Sequence, residues 1–134
     1  MLLQPKKTKY KKHRKGTLPR LEYKKNKLRF GSIGLKSTQS GLITSRQLES
    51  ARQAINRKIK KKGKLWIRIF PDLPITKKPS EVRMGKGKGS VDHWSAKVKG
   101  GTVLFEVCGI NRKIAQAAFK TGGAKLPVKT RLFF

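Results

Sequence analysis

Residues 1–29 hold nine Lys and three Arg against a single acid, Glu22, a net +11 with few large apolar side chains to bury. Such a segment cannot offset the entropy of its own ordering. It is expected to be a basic arm or extension that orders on a partner, with residues 30–134 as a single globular domain. The imbalance persists along the chain. Over 134 residues, 35 Lys or Arg face 6 Asp or Glu, a formal +29 at pH 7. A compact monomer of that charge repels itself, so its expected resting state is bound to a polyanion, nucleic acid ahead of acidic proteins or anionic membranes.

Several classes fall away. The one cysteine, Cys108, closes no internal disulfide, which argues against secreted disulfide scaffolds and cationic toxins. No apolar run approaches the roughly 18 residues of a membrane span, and residues 1–16 lack the apolar stretch of a signal peptide, so a soluble, non-exported chain with no membrane partner is expected. Residues 6–15 are lysine-rich, follow Pro5 and present no apolar helical face, and they read as mature protein rather than a presequence.

Thr44-Ser45-Arg46-Gln47 reads as a capping box, and Leu48, Ala51, Ile55 and Ile59 form one apolar stripe behind it. Gly63 is the expected stop of this helix, whose basic residues contact phosphate or merely complement the helix dipole. Residues 64–70 alternate Leu65, Ile67 and Ile69 with Trp66, Arg68 and Phe70, a strand with substantial side chains on both faces. Short extended pieces are expected at 75–78 and 81–83, and two strands at 93–98 and 102–107, joined as a hairpin at Gly100-Gly101. Asn111 caps a second helix carrying Ile114, Ala115, Ala118 and Phe119, and residues 128–133 form a last strand. Strands and helices mixed without regular alternation indicate an α+β fold.

The sharpest local feature is the run Arg83, Met84, Gly85, Lys86, Gly87, Lys88, Gly89. Glycine at every second position lets the backbone approach a surface closely, while Arg83, Lys86 and Lys88 supply cations suited to a phosphate backbone. The spacing matches neither the phosphate-binding loop of nucleoside triphosphatases nor the dinucleotide fingerprint, so no nucleotide or other small-molecule substrate is expected. Catalysis has little to work with. The six acids show no carboxylate pair, and His93 beside Asp92 reads as a structural or RNA-contacting histidine before it reads as a base. No zinc site, other metal or cofactor is expected, and the chain does not read as an enzyme. Trp66, Phe70 and Trp94 are expected in the core, as is Cys108, whereas Tyr10, with nothing to pack against, suits stacking on a base or sugar.

Lys64-Leu65-Trp66-Ile67-Arg68-Ile69-Phe70-Pro71-Asp72, Pro74-Ile75-Thr76, Lys78-Pro79 and the loop 83–89 follow one another in an order and spacing that is highly specific. With Gln4-Pro5-Lys6-Lys7-Thr8-Lys9-Tyr10, Phe30-Gly31, Gly34-Leu35-Lys36 and Lys125-Leu126-Pro127-Val128-Lys129-Thr130, the chain resembles the large-subunit ribosomal protein L-sixteen family of bacteria and organelles. The resemblance implies an α/β-hammerhead with antiparallel strands, two main helices and a basic N-terminal extension. It also implies large-subunit rRNA, tRNA and neighbouring ribosomal proteins as partners, near the aminoacyl-tRNA path and the peptidyl transferase centre. On this reading rRNA is bound by Lys6, Lys7, Lys9, Tyr10, Lys11, Lys12, His13, Arg14 and Lys15 of the arm and by Arg46, Arg57, Lys58 and Lys61 of the first helix. Arg83, Met84, Gly85, Lys86, Gly87, Lys88 and Gly89, within a protruding loop 83–90, reach tRNA and nearby rRNA. A general RNA-binding chaperone or architectural protein is the competing reading.

Residues 17–29 have no firm counterpart in the family, and Asn111, Arg112 and Lys113 stand where it usually has acids. Gly122-Gly123 interrupts a run the family keeps helical; two glycines cost about 2 kcal/mol of helix propensity, so the second helix is expected to end early or bend there. The excess of Lys over Arg, 25 to 10, and Glu81-Val82 before the loop point to a mitochondrial ribosome ahead of a plastid or the bacterial cytoplasm.

Overall fold

In the computed structural model, which describes residues 3–18, 21–60 and 62–134, apolar stripes and alternation organise seven strands and two helices. They are β1 Ile33–Ser37, β2 Gly41–Thr44, α1 Ser45–Ile59, β3 Lys64–Ile67, β4 Leu73–Lys77, β5 Ser90–Val98, β6 Val103–Cys108, α2 Arg112–Gly123 and β7 Thr130–Phe133. One antiparallel sheet has the order β3-β6-β1-β7, the other β2-β5-β4, and the two helices pack on each other. The fold is α+β.

Thr44 sets the start of α1. Its Oγ1 accepts from the Gln47 N–H (3.2 Å) while Gln47 Oε1 accepts from the Thr44 N–H (2.9 Å), so both ends of the capping box are closed. Leu48, Ala51, Ile55 and Ile59 are buried against a core that includes Ile43, Val98, Phe105, Val107 and Phe119. The stop differs from expectation. Lys60 takes the left-handed conformation (φ 54°) and ends the helix three residues before Gly63. Gly63 (φ 86°) serves the next corner, where a Cβ would stand 2.7 Å from Ile110 Cγ2 and against the Cys108 carbonyl.

The Gly100-Gly101 hairpin does not form, because β5 and β6 belong to different sheets. The Gly101 N–H donates to the Ser37 carbonyl (2.7 Å), and the turn hands the chain from one sheet to the other. Strand β6 lies between β3 and β1, with residues from Val103 to Val107 buried on both faces, so burial on two sides rather than turn chemistry selects its partners. Residues 33–37 and 41–44 are also strands, although no alternation marks them: Ile33, Gly34 and Leu35 are all buried in the interior strand β1. Residues 81–83 are not extended, since the chain turns there with Val82 N–H donating to the Pro79 carbonyl (3.3 Å).

Helix α2 continues through Gly122 and ends at Gly123, the second of its two glycines. A Cβ at Gly122 would stand 2.7 Å from Ile55 Cδ1 and nearer still to Cγ1, so the glycine is what allows α2 to approach α1. Tertiary contact overrides the propensity penalty. Cys108 is exposed at the end of β6 rather than in the core. Phe70 is exposed, and Trp66 and Trp94 are only half-buried.

Candidate nucleic-acid interface

Residues 83–88 are exposed without exception, and Gly89 is half-buried beneath them. Gly85 (φ 101°), Lys86 (φ 52°) and Gly87 (φ 87°) are three consecutive residues at positive φ. At Gly85 and Gly87 nothing lies within 4 Å of where a Cβ would be, so backbone conformation, not crowding, calls for glycine there. Gly89 differs, since a Cβ there would strike the Lys77 carbonyl, which fastens the loop's base to β4. Lys78 Nζ donates to the Gly85 carbonyl across the loop. That contact was not foreseen, because nothing local to Lys78 marks it.

The arm meets this loop. Lys12 Nζ donates to the Lys88 carbonyl (2.7 Å), and Lys88 Nζ donates back to the His13 carbonyl. Lys6, Lys7, Lys9, Tyr10, Lys11, Lys12, His13, Arg14 and Lys15 are all exposed, with Lys9 Nζ 5.6 Å above the Tyr10 ring and His13 edge-on to it. Leu3, by contrast, is buried in the core cluster. The two basic features separated by about seventy residues of sequence therefore share one surface.

The helix cations do not all join them. Arg46, at the start of α1, lies beside Asp92, His93 and Gln4, whereas Arg57 and Lys58 are exposed in the last turn, about 16 Å away along the axis. Lys61 lies outside the described residues. Asp92 and His93, although adjacent, contact each other (Oδ2 to Nδ1, 2.7 Å). The register slips between Ile75 and Thr76 of β4, so that Asp92 has no partner across the ladder. The hydrogen bond to His93 holds the Asp92 carboxyl below its ordinary range.

Acids are few and largely committed. Glu22 accepts backbone N–H bonds from Lys24 (3.0 Å) and Lys25 (3.4 Å), the first of which chiefly lowers its pKa. Glu49 accepts two bonds from the Arg52 guanidinium, which with a smaller contribution from Gln53 pulls its carboxyl down to about 2 against the cost of burial. Glu106 on β6 is fully buried; it pairs with Arg68 and accepts from the N–H groups of Arg29 (3.2 Å), Phe30 (2.7 Å) and Gly31 (2.9 Å). Among the described residues, ion pairs engage only Arg52, Arg68 and His93. The cations of the arm and of the loop stand without an acidic partner there, the arrangement that releases counterions most readily on a phosphate backbone.

The family model for ribosomal protein L16p/L10e matches residues 5–133. The chain belongs to that family. Its relatives include the large ribosomal subunit protein uL16 of Halorhodospira halophila, 55% identical over 129 residues, 96% of this chain and 94% of the relative. The protein of the same name from Borrelia hermsii is 56% identical over an equal span. As an L16p/L10e protein the chain is a structural, non-enzymatic constituent of the ribosome, and the relatives named here are bacterial. The matched stretch takes in nearly all of the arm, α1 and the glycine-lysine loop.

Proposed function

We propose that this chain is a structural constituent of the large ribosomal subunit that binds rRNA near the aminoacyl-tRNA path and helps position tRNA. The observation that carries this reading is the shared basic surface of arm and loop, joined at Lys12, His13 and Lys88 and lacking acidic partners among the described residues. Residues 1–29 act as the extension that tracks rRNA, and residues 30–134 as the rRNA-binding domain. Lys6, Lys7, Lys9, Lys11, Lys12, Arg14, Lys15, Arg46, Arg57, Lys58 and Lys61 meet phosphates, while Tyr10 and His13 offer rings to bases or sugars. Loop residues 83–89 steady tRNA and adjacent rRNA by charge, without taking part in chemistry. Neighbouring ribosomal proteins complete its surroundings.

Ultraviolet crosslinking in native extract tests this directly. Crosslinks concentrated in a few segments of large-subunit rRNA, with a minor tRNA signal from the loop, support it; crosslinks scattered over many RNAs favour a general RNA chaperone. For compartment, the lysine excess and Glu81-Val82 support a mitochondrial ribosome, a reading that recovery of the protein only with cytoplasmic ribosomes would overturn.

A further inference from the structure

The strand β3 has two unlike faces. Leu65 and Ile67, with Ile69 beyond the strand's end, pack on the core, which turns Lys64, Trp66 and Arg68 to the other side of the four-stranded sheet. The Arg68 N–H continues the ladder to the Leu104 carbonyl (2.9 Å), so Arg68 stays in line past the end of the strand. On that outer face Phe30 lies on Trp66, ring centroids 6.0 Å apart and planes 21° from parallel. Lys64 Nζ stands 5.3 Å from the Trp66 centroid and the Arg68 guanidinium 5.3 Å from that of Phe30.

Glu106 fixes this arrangement. It sits opposite Trp66 in the β3–β6 register, beneath the ring pair, and holds both Arg68 and the backbone of residues 29–31 that presents Phe30. Gly31 permits the close approach, since a Cβ there would come within 2.6 Å of the Val107 carbonyl oxygen. Yet Phe30 remains 56% exposed. An aromatic ring whose backbone is fastened to a buried carboxylate, open to solvent and edged by the exposed cations Arg29 and Lys64, is not how a buried core or a bare surface is built. Rings flanked by cations on a sheet face match the chemistry of an unpaired nucleotide, which offers a π-face and a phosphate together.

We infer that the Phe30–Trp66 face is a stacking platform for an unpaired nucleotide of large-subunit rRNA, with Arg29 and Lys64 taking the adjoining phosphates. The inference rests on the rRNA-binding reading above and adds a site to it that uses none of residues 6–15 or 83–89. Charge complementarity selects the occupant, because Arg29 and Lys64 are exposed and, among the described residues, neither side chain is paired with an acid, which suits a polyanion.

The test uses the full chain carrying Trp94→Phe, so that Trp66 alone reports. Titration with a ten-nucleotide oligouridylate, whose bases are unstacked, is expected to quench Trp66 emission. Phe30→Leu, which keeps the apolar bulk without the ring, is expected to weaken binding about tenfold, near the low end of what one stacked base contributes, and Phe30→Tyr to restore it. The loss should be the same at every salt concentration, whereas Lys64→Ala should lower the salt slope by about 0.7. Unquenched Trp66 with RNA bound, or Phe30→Leu binding as tightly as the parent, overturns the platform. So does a crosslink from the Trp66 peptide to a protein neighbour in assembled subunits. Failure of the parent chain to select large-subunit rRNA over other RNAs would instead strike the rRNA reading itself.

Discussion

Gly122 of α2 and Ile55 of α1 occupy one point of contact, and there is no room there for a methyl group: its carbon would lie 2.7 Å from Ile55 Cδ1. Ile55 is fully buried and cannot swing away. Gly122→Ala would therefore gain about 1 kcal/mol of helix propensity yet force the helices apart, an overpacking cost of about 1–3 kcal/mol. A net loss is expected, seen as a melting temperature lower by about 2–6 °C in thermal denaturation followed by circular dichroism. An increase would mean that the helices separate freely.

Glu106→Gln should be far more damaging than its small change in shape implies. It removes the charge facing Arg68, whose side chain is only 12% exposed, and turns one acceptor for the N–H groups of residues 29–31 into a donor. Leaving a buried guanidinium without its counterion costs about 3–5 kcal/mol. Urea unfolding curves of the two proteins measure it. The double replacement Glu106→Gln with Arg68→Met should recover much of the loss, since the orphaned charge goes too.

Glu49 makes the stability depend on acid. Its carboxyl, held by Arg52 and Gln53, titrates at about 2 in the folded chain against an ordinary 4.5. A depressed carboxyl contributes stability that is complete above the unfolded value and is lost as pH falls toward the folded one. The urea midpoint of the parent should therefore exceed that of Glu49→Gln above pH 4.5, and the difference should shrink as pH falls and vanish only below about 2. A gap that widened on acidification would reverse the sign and reject the assignment.

The arm's share of rRNA affinity should appear in the salt dependence. If Lys6, Lys7, Lys9, Lys11 and Lys12 each meet a phosphate, changing all five to Gln should flatten the plot of log affinity against log salt by about 3.5–4.5. Filter binding to large-subunit rRNA across salt concentrations gives the slope. An unchanged slope would assign the phosphate contacts elsewhere.

For the loop, Lys86→Ala with Lys88→Ala is expected to reduce tRNA binding or translation more than the yield of assembled subunits. Equal losses at matched expression would remove that division of roles. Lys88→Ala also deletes the bond to the His13 carbonyl, so limited trypsin digestion should cut within residues 11–15 faster than in the parent. Lys86→Ala alone, without that contact, should leave the digestion rate unchanged.

Signals carried by near neighbours were legible in the sequence. The Thr44–Gln47 capping box, the buried stripe of α1, the Asn111 cap and the glycine-lysine loop each depend on residues a few positions apart, and periodicity or side-chain chemistry suffices to read them. So was the function class, because net charge and the ordered motif blocks do not depend on how the chain folds. Partner choice was not legible. Whether β5 pairs with β6, why α2 tolerates Gly122, and how Lys12 finds Lys88 or Arg68 finds Glu106 are decided between residues 38 to 76 positions apart in the two polar cases. Alternation marks a strand but not which strand lies beside it. A glycine's propensity penalty says nothing of the neighbour that needs the space. Those outcomes follow from which faces can be buried together, and only the assembled sheets and helices settle that.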